Sequence, residues 1–196
     1  MKVRIARIAK RMHNKFRGLY WRQMFVTVGM VLLTLFLLVA ALCCGALRVR
    51  GAPAIGICAG YCMYLLARDA WTEDRQAFLR KLTEDGEALN ASRPTAVNLS
   101  WAIGEMMAVA RARLQEPREA LLDALYQKAV AIHEDDIAKC KAISEYGLSL
   151  LKEGDGVLTH CNAGPLATSR YGTAQGPFLL AAERGMPIRV FADETR

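Results

Sequence analysis

The stretch Val157-Leu158-Thr159-His160-Cys161-Asn162-Ala163-Gly164-Pro165 decides the fold. A short apolar run reads as a strand, and the small and polar residues after it read as a loop. Downstream, Ala174 to Arg184 has helical character, Gly185 suits a C-terminal cap, and Ile188 to Ala192 reads as a second strand. The result is a β-loop-α-β unit. Such units belong to parallel sheets with helices on both faces, and ligands collect at the carboxyl ends of their strands. The loop at Cys161 stands at such an end. Since a two-stranded parallel sheet cannot bury both of its faces, residues 154–196 read as an incomplete α/β domain.

Working back from this unit, residues 48–153 read as a helical domain. Ala54 to Arg68 is rich in small and apolar residues and suits a buried helix, with Cys58 and Cys62 one turn apart on a shared face. A second helix is expected over Glu73–Leu89. A third, Val97–Leu114, places Leu99, Ile103, Met106, Met107, Ala110 and Leu114 on one stripe, which reads as core. After Pro117, Arg118 to Lys152 forms one long helix or two. Its inner face passes from Leu122, Leu125, Ala129 and Ile132 to Ile137, Cys140 and Ile143. The acids Glu134, Asp135 and Asp136, with Lys128, Lys139 and Lys141 nearby, read as a solvated face.

The front end has a different texture. Lys2, Arg4, Arg7, Lys10, Arg11, Lys15, Arg17 and Arg22 make residues 1–24 a basic tail without an acid. Residues 25–47, FVTVGMVLLTLFLLVAALCCGAL, carry no charge, and as a helix they would extend roughly 35 Å, enough to span a bilayer. Tyr20 and Trp21 stand where an interfacial belt would lie. A transmembrane helix over 25–47, with membrane association through it, is therefore the expectation; a cleaved secretory signal and a buried segment are the alternatives. A cytoplasmic tail followed by one span would place the rest of the chain outside the cytosol.

The chain has 26 basic and 19 acidic residues, but eight of the basic ones lie in that tail. The remainder is close to neutral, which argues against a nucleic-acid-binding body. With 53% apolar residues, a disordered chain is excluded. Of the six cysteines, Cys43 and Cys44 are adjacent, Cys58 and Cys62 are one turn apart, and Cys140 and Cys161 stand alone, a distribution unlike a disulfide framework. No cluster has the spacing of a metal site.

Two constellations suggest chemistry. Arg50-Gly51-Ala52-Pro53-Ala54 sets a guanidinium and bare backbone N–H groups ahead of a buried helix, a candidate phosphate cradle. The alternative is an interfacial arginine that flanks the apolar run together with Arg48. Arg93-Pro94-Thr95 offers a second arginine on a turn ahead of a helix, a weaker signal by itself. Cys161 follows directly on a strand and precedes Asn162 and Gly164. A thiol needs nearby positive charge, N–H groups or a partner acid to work near neutral pH. His160 is its neighbour in sequence, but successive strand residues point to opposite faces, which disfavours a direct Cys–His dyad.

Six blocks now bear on the family: Arg50-Gly-Ala-Pro-Ala-Ile-Gly56, Arg93-Pro-Thr-Ala-Val-Asn-Leu99, Ile132-His-Glu-Asp-Asp136, Thr159-His-Cys-Asn-Ala-Gly164, Tyr171-Gly-Thr-Ala174 and Phe191-Ala-Asp-Glu-Thr-Arg196. In this order they resemble the methylthioribose-1-phosphate isomerases, within the wider group that holds the regulatory subunits of translation initiation factor 2B. The resemblance implies a mainly α chain that ends in the first β-loop-α-β unit of a Rossmann-like domain. It implies an aldose-ketose isomerase of methionine salvage that converts 5-methylthioribose 1-phosphate to 5-methylthioribulose 1-phosphate without a metal or organic cofactor. The family's phosphosugar contacts fall on Arg50, Gly51, Ala52 and Arg93, and its acid-base or transition-state-stabilising cysteine falls on Cys161. Family members are commonly dimeric and cytoplasmic, so a homodimer in the cytoplasm is implied, against the membrane reading of residues 25–47.

The departures are equally specific. The family's catalytic aspartate, a glutamine and an Asn-Lys pair come from the second half of the fold, and its β-rich segment before Arg50 is replaced by the basic tail and apolar run. Pro165, Arg170 and Gln175 differ from the commoner residues around the cysteine loop. The expectation is a partial chain without the aspartate. Its rivals are a non-catalytic regulatory or scaffolding relative, a membrane-anchored interaction protein or truncated reading frame, and an isomerase of a related deoxy or bisphosphorylated pentose.

Overall fold

A computed structural model describes residues 49–193. The expected basic tail and the expected transmembrane helix at 25–47 lie outside the described residues. Among the described residues, no helix is long and apolar enough to cross a membrane.

Among the described residues, four helices come first: α1 (Ala52–Ala70), α2 (Arg75–Ala91), α3 (Val97–Ala112) and α4 (Arg118–Ser149). Helix α1 is central and packs on the other three. Its buried residues include Ile55, Gly56, Ala59, Gly60, Cys62, Met63 and Ala67, and its two inward glycines let neighbours come close. A Cβ on Gly60 would lie 3.6 Å from the Ala129 backbone, and one on Gly56 only 3.0 Å from the Asn98 carbonyl. Phe78, Leu82, Leu99, Met106, Leu121 and Leu125 fill the space between helices, each at most 1% exposed. Burying such side chains stabilises by about 1.5–3 kcal/mol apiece.

The helix limits shift slightly from expectation. Helix α1 starts at Ala52 because Pro53 fits the first turn, where its missing N–H costs nothing. Helix α2 starts at Arg75 because the Asp74 carboxylate accepts hydrogen bonds from the Gln76 and Ala77 N–H groups at 2.9 and 3.0 Å. Helix α3 stops at Ala112, yet Leu114 stays buried in the turn that follows.

Helix α4 is one helix of 32 residues, roughly 48 Å long, and it joins the two regions. Its inner face departs from the expected Cys140–Ile143 continuation. Ile143 is exposed, and the buried line runs Cys140, Ser144, Leu148. The cause is the next helix, α5 (Gly176–Glu183), which crosses over small residues. A Cβ on Gly176 would sit 2.2 Å from Ser144 Oγ, and one on Gly147 2.4 Å from Pro177. The buried Ser144 hydroxyl donates to the Cys140 carbonyl at 2.7 Å, so it needs no other partner. Leu148, Leu180 and Ala181, with Met186 and Ile188 against them, form a second small core.

Strands β1 (Gly156–Thr159) and β2 (Arg189–Ala192) pair in parallel, with Leu158 opposite Phe191 and Thr159 opposite Ala192. Helix α5 is their crossover. Val157 and Thr159 turn inward to different depths, whereas Leu158 is 71% and Phe191 56% exposed.

Candidate functional site

A cleft of about 520 Å³ opens at the carboxyl ends of the two strands. Its lining includes Arg50, Gly51, Thr159, Cys161, Asn162 and Asp193. Residues 110 positions apart in sequence, Gly51 and Cys161, therefore border one cleft.

The Arg50 side is built around Gly51. Its φ of 98° favours glycine, and an added Cβ would stand 2.4 Å from the Ala167 carbonyl. That close approach lets the Ala54 N–H donate to the Ala167 carbonyl at 3.2 Å. Pro53 has no N–H and that of Ala54 is spent, so an anion in the cleft at this helix start would use the Gly51 amide and the Arg50 guanidinium. Ala52 is exposed as the first residue of α1 and does not line the cleft. Arg93 is on the turn between α2 and α3, where its N–H donates to the Asn90 carbonyl at 3.1 Å. It too is outside the cleft lining.

The thiol side begins where β1 ends. Cys161 is exposed, with φ at 65°, a left-handed conformation that costs a residue with a side chain about 1–3 kcal/mol. Tyr171, at φ 61°, repeats the feature near the far end of the loop, with the Arg170 guanidinium 5.3 Å from its ring. Between them the chain folds on itself. The Ala167 N–H donates to the Gly164 carbonyl at 3.0 Å, and the Thr173 N–H to the Ala163 carbonyl at 2.9 Å. Gly172, at φ 89°, admits the Ala163 carbonyl where a Cβ would be 2.4 Å away.

His160 Nδ1 pairs with the Asp193 carboxylate, not with Cys161. Sequence reading did not single out Asp193. The strand register contained the signal: with Thr159 opposite Ala192, the next residues of each strand, His160 and Asp193, become neighbours. Thr159 is buried beneath the cleft, and its hydroxyl has no hydrogen-bond partner among the described residues.

The acidic cluster on α4 requires a correction. Asp135 does face solvent and pairs with Lys139 at 2.6 Å, but Lys128 reaches across to Glu105 on α3 at 2.5 Å. Asp136 turns to the cysteine loop. One of its oxygens accepts from the Ser169 N–H at 2.9 Å and the Ser169 hydroxyl at 2.5 Å. Nearby Cys140 is buried, and loss of solvation pushes its thiol pKa up. The Cys58 and Cys62 sulfurs are 3.9 Å apart. No group of three or more potential metal ligands occurs among the described residues.

The arrangement can hold an anion at the α1 N-terminus while a thiol and a carboxylate face the same space. Comparisons with known proteins bear on the family. The pattern of the Initiation factor 2 subunit family matches residues 48–196. The 5-deoxyribose 1-phosphate isomerase of Clostridium botulinum (strain Kyoto / Type A2) is 49% identical over 148 residues, 76% of this chain and 42% of that protein. The enzyme of the same name from Moorella thermoacetica is 47% identical over 150 residues, 76% of this chain and 43% of that protein. The chain thus spans less than half the length of these curated relatives. Among solved structures, 5-methylthioribose 1-phosphate isomerase from Pyrococcus horikoshii OT3 superposes with a TM-score of 0.71 at 28% identity, covering 78% of this chain and 51% of that one. Translation initiation factor eIF-2B subunit delta from A. fulgidus superposes with a TM-score of 0.70 at 38% identity, covering 80% and 46%. From the match over residues 48–196, this chain belongs to the Initiation factor 2 subunit family.

Proposed function

We propose that the cleft is part of the active site of an aldose-ketose isomerase acting on a ribose 1-phosphate without a free 5-hydroxyl. The observation that carries this reading is the meeting of Arg50 and Gly51 with Cys161 around one cleft. The cradle holds the phosphate, and the family resemblance adds Arg93, which lies outside the cleft lining, as a further phosphate contact. A phosphate on the anomeric oxygen blocks simple ring opening, so the site itself must break the bond between C1 and the ring oxygen. In the balanced reaction the ring oxygen gains a proton, the 2-hydroxyl loses one, and hydrogen moves from C2 to C1. Cys161 transfers one of these protons, and a second group of different pKa transfers the other.

The motif blocks favour 5-methylthioribose 1-phosphate and a place in methionine salvage. The relatives of highest identity are named for 5-deoxyribose 1-phosphate, and they favour that substrate. Both carry the 1-phosphate, so the same cradle suits both. Proton NMR of each aldose phosphate with the full chain tests the reading. Appearance of a ketose 1-phosphate, lost in Cys161→Ser, supports it. Absence of conversion and of binding for both sugars would overturn it.

A second reading, a non-catalytic relative, draws on the similarity to the initiation-factor subunit. Against it stand the exposed Cys161 and the Gly51 cradle on one cleft, which such a role does not require.

A further inference from the structure

The block Ile132-His-Glu-Asp-Asp136 is far from the strand ends in sequence and lines no part of the main cleft. Its last carboxylate nevertheless reaches the loop that forms the cleft wall. Asp136 Oδ2 accepts from both the N–H and the hydroxyl of Ser169, and Cys140 Sγ is 3.8 Å away. Two residues before Ser169, Ala167 takes the Ala54 N–H on its carbonyl and lies against Gly51. Eight residues before Ser169 stands Cys161.

The loop is thus held at two places by different helices. Ala167 is fixed to the start of α1, where the anion cradle is, and Ser169, two residues further on, to the middle of α4. Between β1 and α5 the loop has no regular secondary structure to hold its shape, and Cys161 and Tyr171 both sit in left-handed backbone conformations. Conformations of that kind persist only when surrounding contacts over-determine them. A charged acceptor that takes two hydrogen bonds from one residue is a strong contact of this type.

We infer that Asp136 is a positioning residue: through Ser169 it sets the loop that fixes the distance between the Arg50–Gly51 cradle and the Cys161 thiol. The inference deepens the isomerase reading and rests on it for its catalytic consequence, while its structural part stands on the hydrogen bonds alone. His133, on the same turn of α4, serves another contact, with its Nδ1 3.1 Å from the Tyr61 hydroxyl. Asp135 is taken by Lys139. Neither can replace Asp136 in this role.

The test uses the full chain with Asp136→Ala, Asp136→Asn and Ser169→Ala. Hydrogen exchange is read at the amides of residues 161–175 and, as a control, in α1–α3. Asp136→Ala should speed loop exchange at least about tenfold while the control helices keep their protection. Asp136→Asn, which retains an acceptor for the Ser169 N–H, should restore part of it. Turnover should fall by up to about 10²-fold in Asp136→Ala, with partial rescue in Asp136→Asn, since a misplacement on the order of 1 Å costs that much. If Asp136→Ala does not fold, Ser169→Ala carries the test, because it removes the hydroxyl bond and keeps the carboxylate. Unchanged loop exchange in the folded variants would overturn the inference. If the wild-type chain shows neither turnover nor sugar-phosphate binding, the isomerase reading fails, and the exchange measurement still decides the role of Asp136.

Discussion

The helical region and the strand region solve the same packing problem differently. Helices α1 to α4 bury their apolar faces against one another, so that Phe78, Leu99 and Leu121 are fully buried. The strand pair leaves Leu158, Val190 and Phe191 exposed, and on the loop Leu166 is 84% exposed. A region with its own core is ordered by that core. The loop that bears Cys161 is held largely by polar contacts, among them the Ala54 N–H to the Ala167 carbonyl, Ser169 to Asp136, and His160 to Asp193. The cleft lies where the two regions meet, with Arg50 and Gly51 from the first and Cys161 and Asp193 from the second.

The largest expected effect tests the first side of this contrast. Phe78→Ala should destabilise the chain by about 3–5 kcal/mol in urea unfolding, because it empties a site with 0% exposure. A loss under about 1 kcal/mol would break the picture of a helical region ordered by its core. Next comes Cys161→Ser, which should lower turnover by about 10²–10⁴-fold and leave the unfolding midpoint within error. A large shift in stability would mean that the thiol is structural.

How much of this was legible in the sequence depends on the range of the interactions. The seven elements among the described residues follow from apolar spacing and punctuation, because helix faces and strand runs are local signals. Their ends moved by a turn or less where Asp74 or Pro53 sets the start. The phase of the second half of α4 is not legible in sequence, because Ser144 is buried through the close crossing of Gly176, which no local pattern encodes. In sequence Asp136 looks like one member of a solvated acidic run, because its partner Ser169 is 33 residues away. Arg50, Gly51 and Cys161 were legible as separate motifs, and the fold brought them to one cleft.

Smaller effects sharpen the comparison further. Gly51→Ala should cost about 1–3 kcal/mol, since φ is positive and the Cβ meets Ala167, and it should weaken binding of inorganic phosphate. Loss of stability without loss of phosphate binding would detach the cradle from the close approach. In the helical region, the N–H of Ala77, then that of Gln76 and the charge of Arg80, hold the Asp74 carboxyl below the usual carboxylate range. A lowered folded-state pKa means that the cap stabilises fully above the unfolded-state value, near about 4, and that this is lost as pH falls through the folded value. Asp74→Ala should therefore lower the thermal midpoint at pH 7 and narrow its difference from wild type at pH 3. An equal difference at both pH values would show that the cap acts without its charge. The smallest effect belongs to the exposed sheet: Leu158→Ala should change stability by no more than about 0.5 kcal/mol. A larger loss would show that this face is covered in solution.

The central claim, that one cleft joins an anion cradle to a reactive thiol, is tested most directly by alkylation of Cys161 in the full chain, read by peptide mass mapping. With 5-deoxyribose 1-phosphate present, the wild-type chain should show saturable protection of Cys161, and Arg50→Ala should shift the half-protecting concentration upward by at least tenfold, about 1.4 kcal/mol. Protection that is absent, or that survives Arg50→Ala unchanged, would contradict the account.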